Sequence, residues 1–198
     1  VPDNNDAGDT LTFTITATDE EGNSGSQDYD LVVENPTTDL GDEYTATILY
    51  GQSNDNGGSF YDIDNNQVDL TNDARTDAEV DMCFFYGNTN EYTLAKLNDG
   101  QAETAYNAVG IDLSTFSAYG NGATFQTGLT VDFSSVTTTE AVDAAVTDAS
   151  ATLANQLSVG DVIGFQTNAG RKGIIEVTET GGDAGSSRTI TINVKIAQ

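Results

Sequence analysis

The sequence predicts an all-β protein: a β-sandwich with one or two short helices, preceded by a separate pair of strands. Three stretches carry that reading. Towards the C-terminus, Ile190, Ile192, Val194 and Ile196 alternate with polar residues in strict period two, the mark of a half-buried strand inside a sheet. Before it, residues 162–167 and 174–177 flank the turn Asn168-Ala169-Gly170 as a hairpin. At the other end, Leu11, Phe13, Ile15 and Ala17 alternate with Thr10, Thr12, Thr14, Thr16 and Thr18, giving one apolar and one polar face.

Taken in order, residues 1–9 are a polar, turn-rich lead with no packing residue beyond Val1. The threonine-rich strand ends at the turn 19–23, and Tyr29, Leu31 and Val33 begin a second strand that stops at Glu34-Asn35-Pro36. Residues 36–43 read as a linker, which sets a boundary between a strand pair over 1–35 and a sandwich over 44–198. Residues 44–50 open the sandwich, and after a loop over 51–58 the runs 59–62 and 67–70 form a hairpin around Ile63-Asp64-Asn65-Asn66. A helical turn follows within 71–80, then a buried strand over 82–86 and a turn over 87–90. Residues 99–109 place Ala102, Ala105 and Tyr106 on one side of a short helix, and 123–126 form a strand. Thr138 or Thr139 caps a helix over 140–146, whose N-terminal Glu140 suits the helix dipole. A Gly- and Ser-rich loop, 181–187, leads into the last strand.

A length of 198 residues allows one large or two small domains with a real core. The 32 acidic against 6 basic residues give a net charge of -26, which repels nucleic-acid phosphate and anionic membrane alike. Such a charge is tolerated best in a salty or cation-rich exterior, where the Debye length falls to about 8 Å or less. With no histidine there is no imidazole base and no Ser-His-Asp triad, so no catalytic residue is assigned. The single cysteine, Cys83, lies in an apolar run and reads as a buried, inert thiol. No apolar run reaches the ~18 residues of a membrane span, and an exported chain would have lost its leader.

The run LTFTITATDEEGNSGSQDYDLVVEN resembles the last hairpin of bacterial immunoglobulin-like, HYR and cadherin-like repeats. A full module of that kind has ~7 strands, and only two precede Pro36. From Tyr44 onward, GSFYD, DMCFFYG, LSVGDVIGFQTNAGRKGIIEV and TITINVKI are similar to a surface lipoprotein or adhesin-type domain of polysaccharide-degrading Gram-negative bacteria. That resemblance implies an extracellular or outer-cell-surface location. Arg171-Lys172-Gly173 departs from the Gly-Lys-x-Gly hairpin of those domains.

Several constellations are candidate sites. Asp62, Asp64 and Asn66 have the oxygen spacing that opens a calcium loop, with Asp73 at the twelfth position. Gln67 stands where the loop needs glycine, so an Asx hairpin turn competes with a calcium site there. Asp3, Asp6 and Asp9 with Asp19, Glu20 and Glu21 offer a second set of acids, and calcium is the one cofactor either set would take. Tyr50, Tyr61, Tyr86 and Tyr92 are candidate sugar-stacking rings in a chain without tryptophan. Lys96, Lys172 and Lys195 are the lysines open to an intramolecular isopeptide bond.

Leu11, Phe13 and Ile15 with Tyr29, Leu31 and Val33 form an apolar face that must be covered, because two strands alone are marginal in water. The cover is the chain's own sandwich, further strands of the same module, or another copy of the chain. The expected function is that of a non-enzymatic extracellular structural or adhesive protein, a filament subunit assembled by β-strand complementation. Its partners would be other copies of itself or other surface proteins. The alternative is a surface glycan-binding module working with an outer-membrane polysaccharide importer.

Overall fold

A computed structural model describes residues 10–32, 37–183 and 185–198. The chain divides into two units, Val1–Thr37 and Thr38–Gln198. In the first, β1 (Thr10–Thr18) and β2 (Ser24–Val32) form an antiparallel hairpin in which Leu11 faces Leu31 and Phe13 faces Tyr29. Asp19 closes the turn by accepting from the backbone and side-chain nitrogens of Asn23, while Gly22 takes the positive φ of 88° that the turn needs. β2 starts at Ser24, well before the Tyr29 expected from the apolar pattern. Side-chain hydrogen bonds extend the ladder there: Thr18 with Ser24, Thr16 with Ser26, and Thr12 with Asp30 on the same polar face. Val33 lies outside the described residues.

The second unit is a β-sandwich. Its larger sheet runs β3 (Asp42–Tyr50), β12 (Thr189–Ile196), β11 (Lys172–Gly181), β10 (Val162–Gln166) and β8 (Thr124–Leu129), each strand antiparallel to its neighbours. Its smaller sheet runs β5 (Gln67–Asp69), β4 (Phe60–Asp62), β6 (Met82–Gly87), β7 (Glu91–Ala95) and β9 (Leu153–Ala154). Ile190, Ile192, Val194 and Ile196 from β12 meet Tyr61, Met82 and Phe84 of the facing sheet in the central core. As the period-two stripe predicts, β12 is an interior strand, although β11 occupies the middle of the sheet.

Both sheets are also covered on their outer faces. α2 (Gly100–Asn107) and the turn at Leu113–Thr115 bury Ala102, Tyr106 and Leu113 against Phe60, Cys83 and Phe85 of the smaller sheet. α3 (Thr139–Ala145) buries Val142 against Val162 and Ile174 of the larger sheet. Double coverage explains why β6 reads as a continuous apolar run: Met82 and Phe84 enter one core, Cys83 and Phe85 the other. Asp99 caps α2 by accepting from the Gln101 and Ala102 amides, and Thr138 caps α3 by accepting from Ala141. The helical turn expected within 71–80 is α1 (Thr71–Ala74).

The expected linker needs correcting. Residues 38–43 belong to the sandwich: Asp39 bridges to Thr138, the Gly41 amide donates to the Ile196 carbonyl, Leu40 packs beside Val142, and β3 starts at Asp42. These residues look like linker because β3 is an edge strand with polar residues on its open side. A bulge there sets Thr45 and Ala46 opposite Asn193, with Ala46 at φ 57° and its amide donating to Asn193 Oδ1. No described helix is long and apolar enough to cross a membrane.

Candidate functional site

The β6–β7 turn and α2 border a groove of about 440 Å³ on the outer side of the smaller sheet. Gln52 fixes one wall by exchanging two hydrogen bonds with the Tyr86 backbone. Tyr86 borders the groove through its backbone; its ring lies on the other face of β6, the side of Met82 and Phe84, beneath the Arg188 guanidinium at 4.5 Å and against Tyr92 at 5.1 Å. Asn88, Thr89 and Asn90 come from the turn, Gln101 and Thr104 from α2, and Val109 from just beyond the helix. No carboxylate and no cation lines this groove, in a chain with 32 acids. Sequence reasoning singled out Tyr86, whose ring is turned away from this groove, and missed the amides that line it. The readable signal was charge: residues 82–90 and 104–111 contain no ionised side chain.

The other candidate tyrosines lie elsewhere. Tyr61 is fully buried in the central core, its hydroxyl donating to Asn66, and burial pushes its pKa up. It is a core residue and offers no surface to a sugar. Tyr92 packs on Phe84 and Tyr86, accepts from Arg188 and donates to the Gly181 carbonyl. The Tyr50 ring is covered by the backbone of Gly57, where a Cβ would stand 2.0 Å from the ring.

The calcium-like spacing resolves into the hairpin turn. Asp62 accepts from the Asn65 amide and side chain, Asp64 pairs with Arg171 at 2.6 Å, and Asn66 accepts from Tyr61 and Thr47. Asp73 sits in α1. Asp62, Asp64 and Asp73 do not converge, and among the described residues no group of three or more acids or cysteines could hold a metal. Of the second acidic set, Asp3, Asp6 and Asp9 lie outside the described residues, and Asp19 turns onto Asn23.

Two buried ionisable groups bear on reactivity. Asp81 is 6% exposed, and burial raises its pKa to about 7; the Ile63 amide opposes that shift, while Asp64, Asp62 and Glu79 reinforce it. The Cys83 thiol is fully buried under α2, and desolvation raises its pKa far above the usual thiol range. Among the lysines, Lys195 donates to the Phe133 and Val136 carbonyls, pairs with Glu43 at 3.1 Å and lies over the Phe133 ring. Lys172 pairs with Asp143.

The hairpin presents a different kind of surface. Leu11, Phe13, Ile15, Tyr29 and Leu31 share one face and all stand exposed, Phe13 at 52% and Ile15 at 60%. β1 pairs with β2 alone, so each strand has an open edge among the described residues. No family model, curated protein or solved structure matches this chain.

Proposed function

We propose that this chain is a non-enzymatic structural or adhesive protein of the cell exterior, in which the hairpin is the assembly element and the sandwich is the body it carries. The observation that carries this reading is the exposed apolar ladder of Leu11, Phe13, Ile15, Tyr29 and Leu31 between two open strand edges. A ladder of that kind is stable when further strands pair with its edge and cover its face, which is how strand complementation joins subunits. Applied head to tail between copies, the same pairing generates a filament. The buried thiol and the absence of histidine support a role without turnover.

Sedimentation velocity across a concentration series tests the assembly. The chain should associate, and a Phe13→Asp, Leu31→Asp variant should sediment as a monomer with the melting of its sandwich unchanged. A wild-type chain that stays monomeric at tens of micromolar removes the assembly reading, and turnover in a broad hydrolase screen removes the non-enzymatic one. The uncharged groove favours a second reading, a glycan-binding surface module that works with an outer-membrane polysaccharide importer.

A further inference from the structure

We infer that the groove between the β6–β7 turn and α2 is a binding site for an uncharged oligosaccharide, with Asn88, Asn90 and Gln101 as its hydrogen-bonding groups and Ala105, Ala108 and Val109 as its apolar surface. The inference rests on the second reading above and gives it a place in the fold and a ligand class.

Charge is the first support. Acids make up 32 of 198 residues, so a groove with a lining of this size would carry about two on average, and this one includes none. A cationic ligand would find no counter-charge there, and an anionic ligand would meet the repulsion of the chain's -26 net charge. A neutral polar ligand meets neither penalty.

Hydrogen-bonding capacity is the second. The Asn88 amide and the Thr89 hydroxyl make no hydrogen bond to the described residues, and Asn90 donates to Gln101 Oε1 at 3.1 Å, which leaves Asn90 Oδ1 and Gln101 Nε2 open. The open set thus includes both donors and acceptors, as a row of sugar hydroxyls requires, since each hydroxyl gives and takes. The Asn90–Gln101 bond also ties the turn to α2, so the two walls are held in register before a ligand arrives.

Shape and surface are the third. About 440 Å³ lies within the ordinary range of small-ligand sites. Val109 is 42% exposed, and Ala105 and Ala108 line the groove beside it, so the C–H face of a sugar ring would meet a small apolar surface at the end of α2.

Isothermal titration of the whole chain with neutral hexasaccharides (gluco-, xylo-, manno- and galacto-configured) and with oligogalacturonate tests the inference. At least one neutral series should bind and oligogalacturonate should not. Asn88→Ala with Gln101→Ala should weaken that binding by about tenfold or more, the loss expected for two or more hydrogen bonds, with melting unchanged. Neutral-sugar binding that survives the double substitution overturns the inference and leaves the glycan-binding reading standing elsewhere on the chain. Failure of every neutral oligosaccharide to bind overturns both, and a preference for oligogalacturonate overturns the ligand class.

Discussion

Single side chains show how far local spacing can mislead. Asp62-x-Asp64-x-Asn66 suits both a calcium loop and an Asx-rich hairpin turn, and local hydrogen bonds decide between them: Asp62 binds the amide three residues on, Asp64 is taken by Arg171, and Asn66 by two hydroxyls. No sequence pattern separates Tyr61 from Tyr86: both sit on strands of the smaller sheet and face the central core, but Tyr61 is fully buried there while Tyr86, at the end of β6, is half-buried. Asp81 gives a prediction with a definite sign. Its folded-state pKa of about 7 lies above the ordinary 3.8, so the folded protein holds a proton that the unfolded chain has lost between those values. Its contribution is therefore fully present below pH 3.8 and is lost as pH rises through 7, on the order of 4 kcal/mol. Asp81→Asn keeps an acceptor for the Ile63 amide, so the variant should melt higher than wild type at pH 8, and the gap should close towards pH 4. Lys195 is a second case. It is 7% exposed and holds two carbonyls of the 133–136 turn, so Lys195→Met should cost about 1 to 3 kcal/mol in urea unfolding.

At the level of elements, strands were legible where one face is apolar and the other polar, as in β1 and β12, and where turn residues punctuate the pattern, as at Asn168-Ala169-Gly170. β7 and β9 were not. β9 has two residues, and its pairing joins Leu94 to Ala154 and Ala95 to Leu153, a long-range contact that no local window contains. The uncharged groove was half legible: its turn and helix were readable, but their adjacency depends on α2 folding back over β6. Close packing within the larger sheet yields a paired prediction. A Cβ on Gly173 would lie 2.2 Å from the Phe165 ring and 2.4 Å from the Lys195 carbonyl, whereas one on Gly100, the first residue of α2, meets nothing within 4 Å. Gly173→Ala should therefore destabilise by about 1 to 3 kcal/mol or more, while Gly100→Ala should be neutral or stabilising by up to ~1 kcal/mol. Thermal melts of the two variants side by side would show the opposite signs.

On the scale of the whole molecule, the net charge of -26 opposes compaction, and mobile ions relieve it. Melting temperature should therefore climb between 10 mM and 500 mM sodium chloride, and a flat response would mean that the acids are too dispersed to repel. The division into two units adds that the hairpin and the sandwich need not melt together. Cys83 makes this separable by experiment. As the chain's one cysteine, fully buried beneath α2 and donating weakly to the Ala95 carbonyl, it is beyond the reach of a thiol reagent while that layer is closed. Its labelling by Ellman's reagent is then a stopwatch for the lifting of α2 alone, blind to whatever the hairpin does. A molecule that bridges α2 and the β6–β7 turn would slow the clock, and one held anywhere else would leave it running at the same pace.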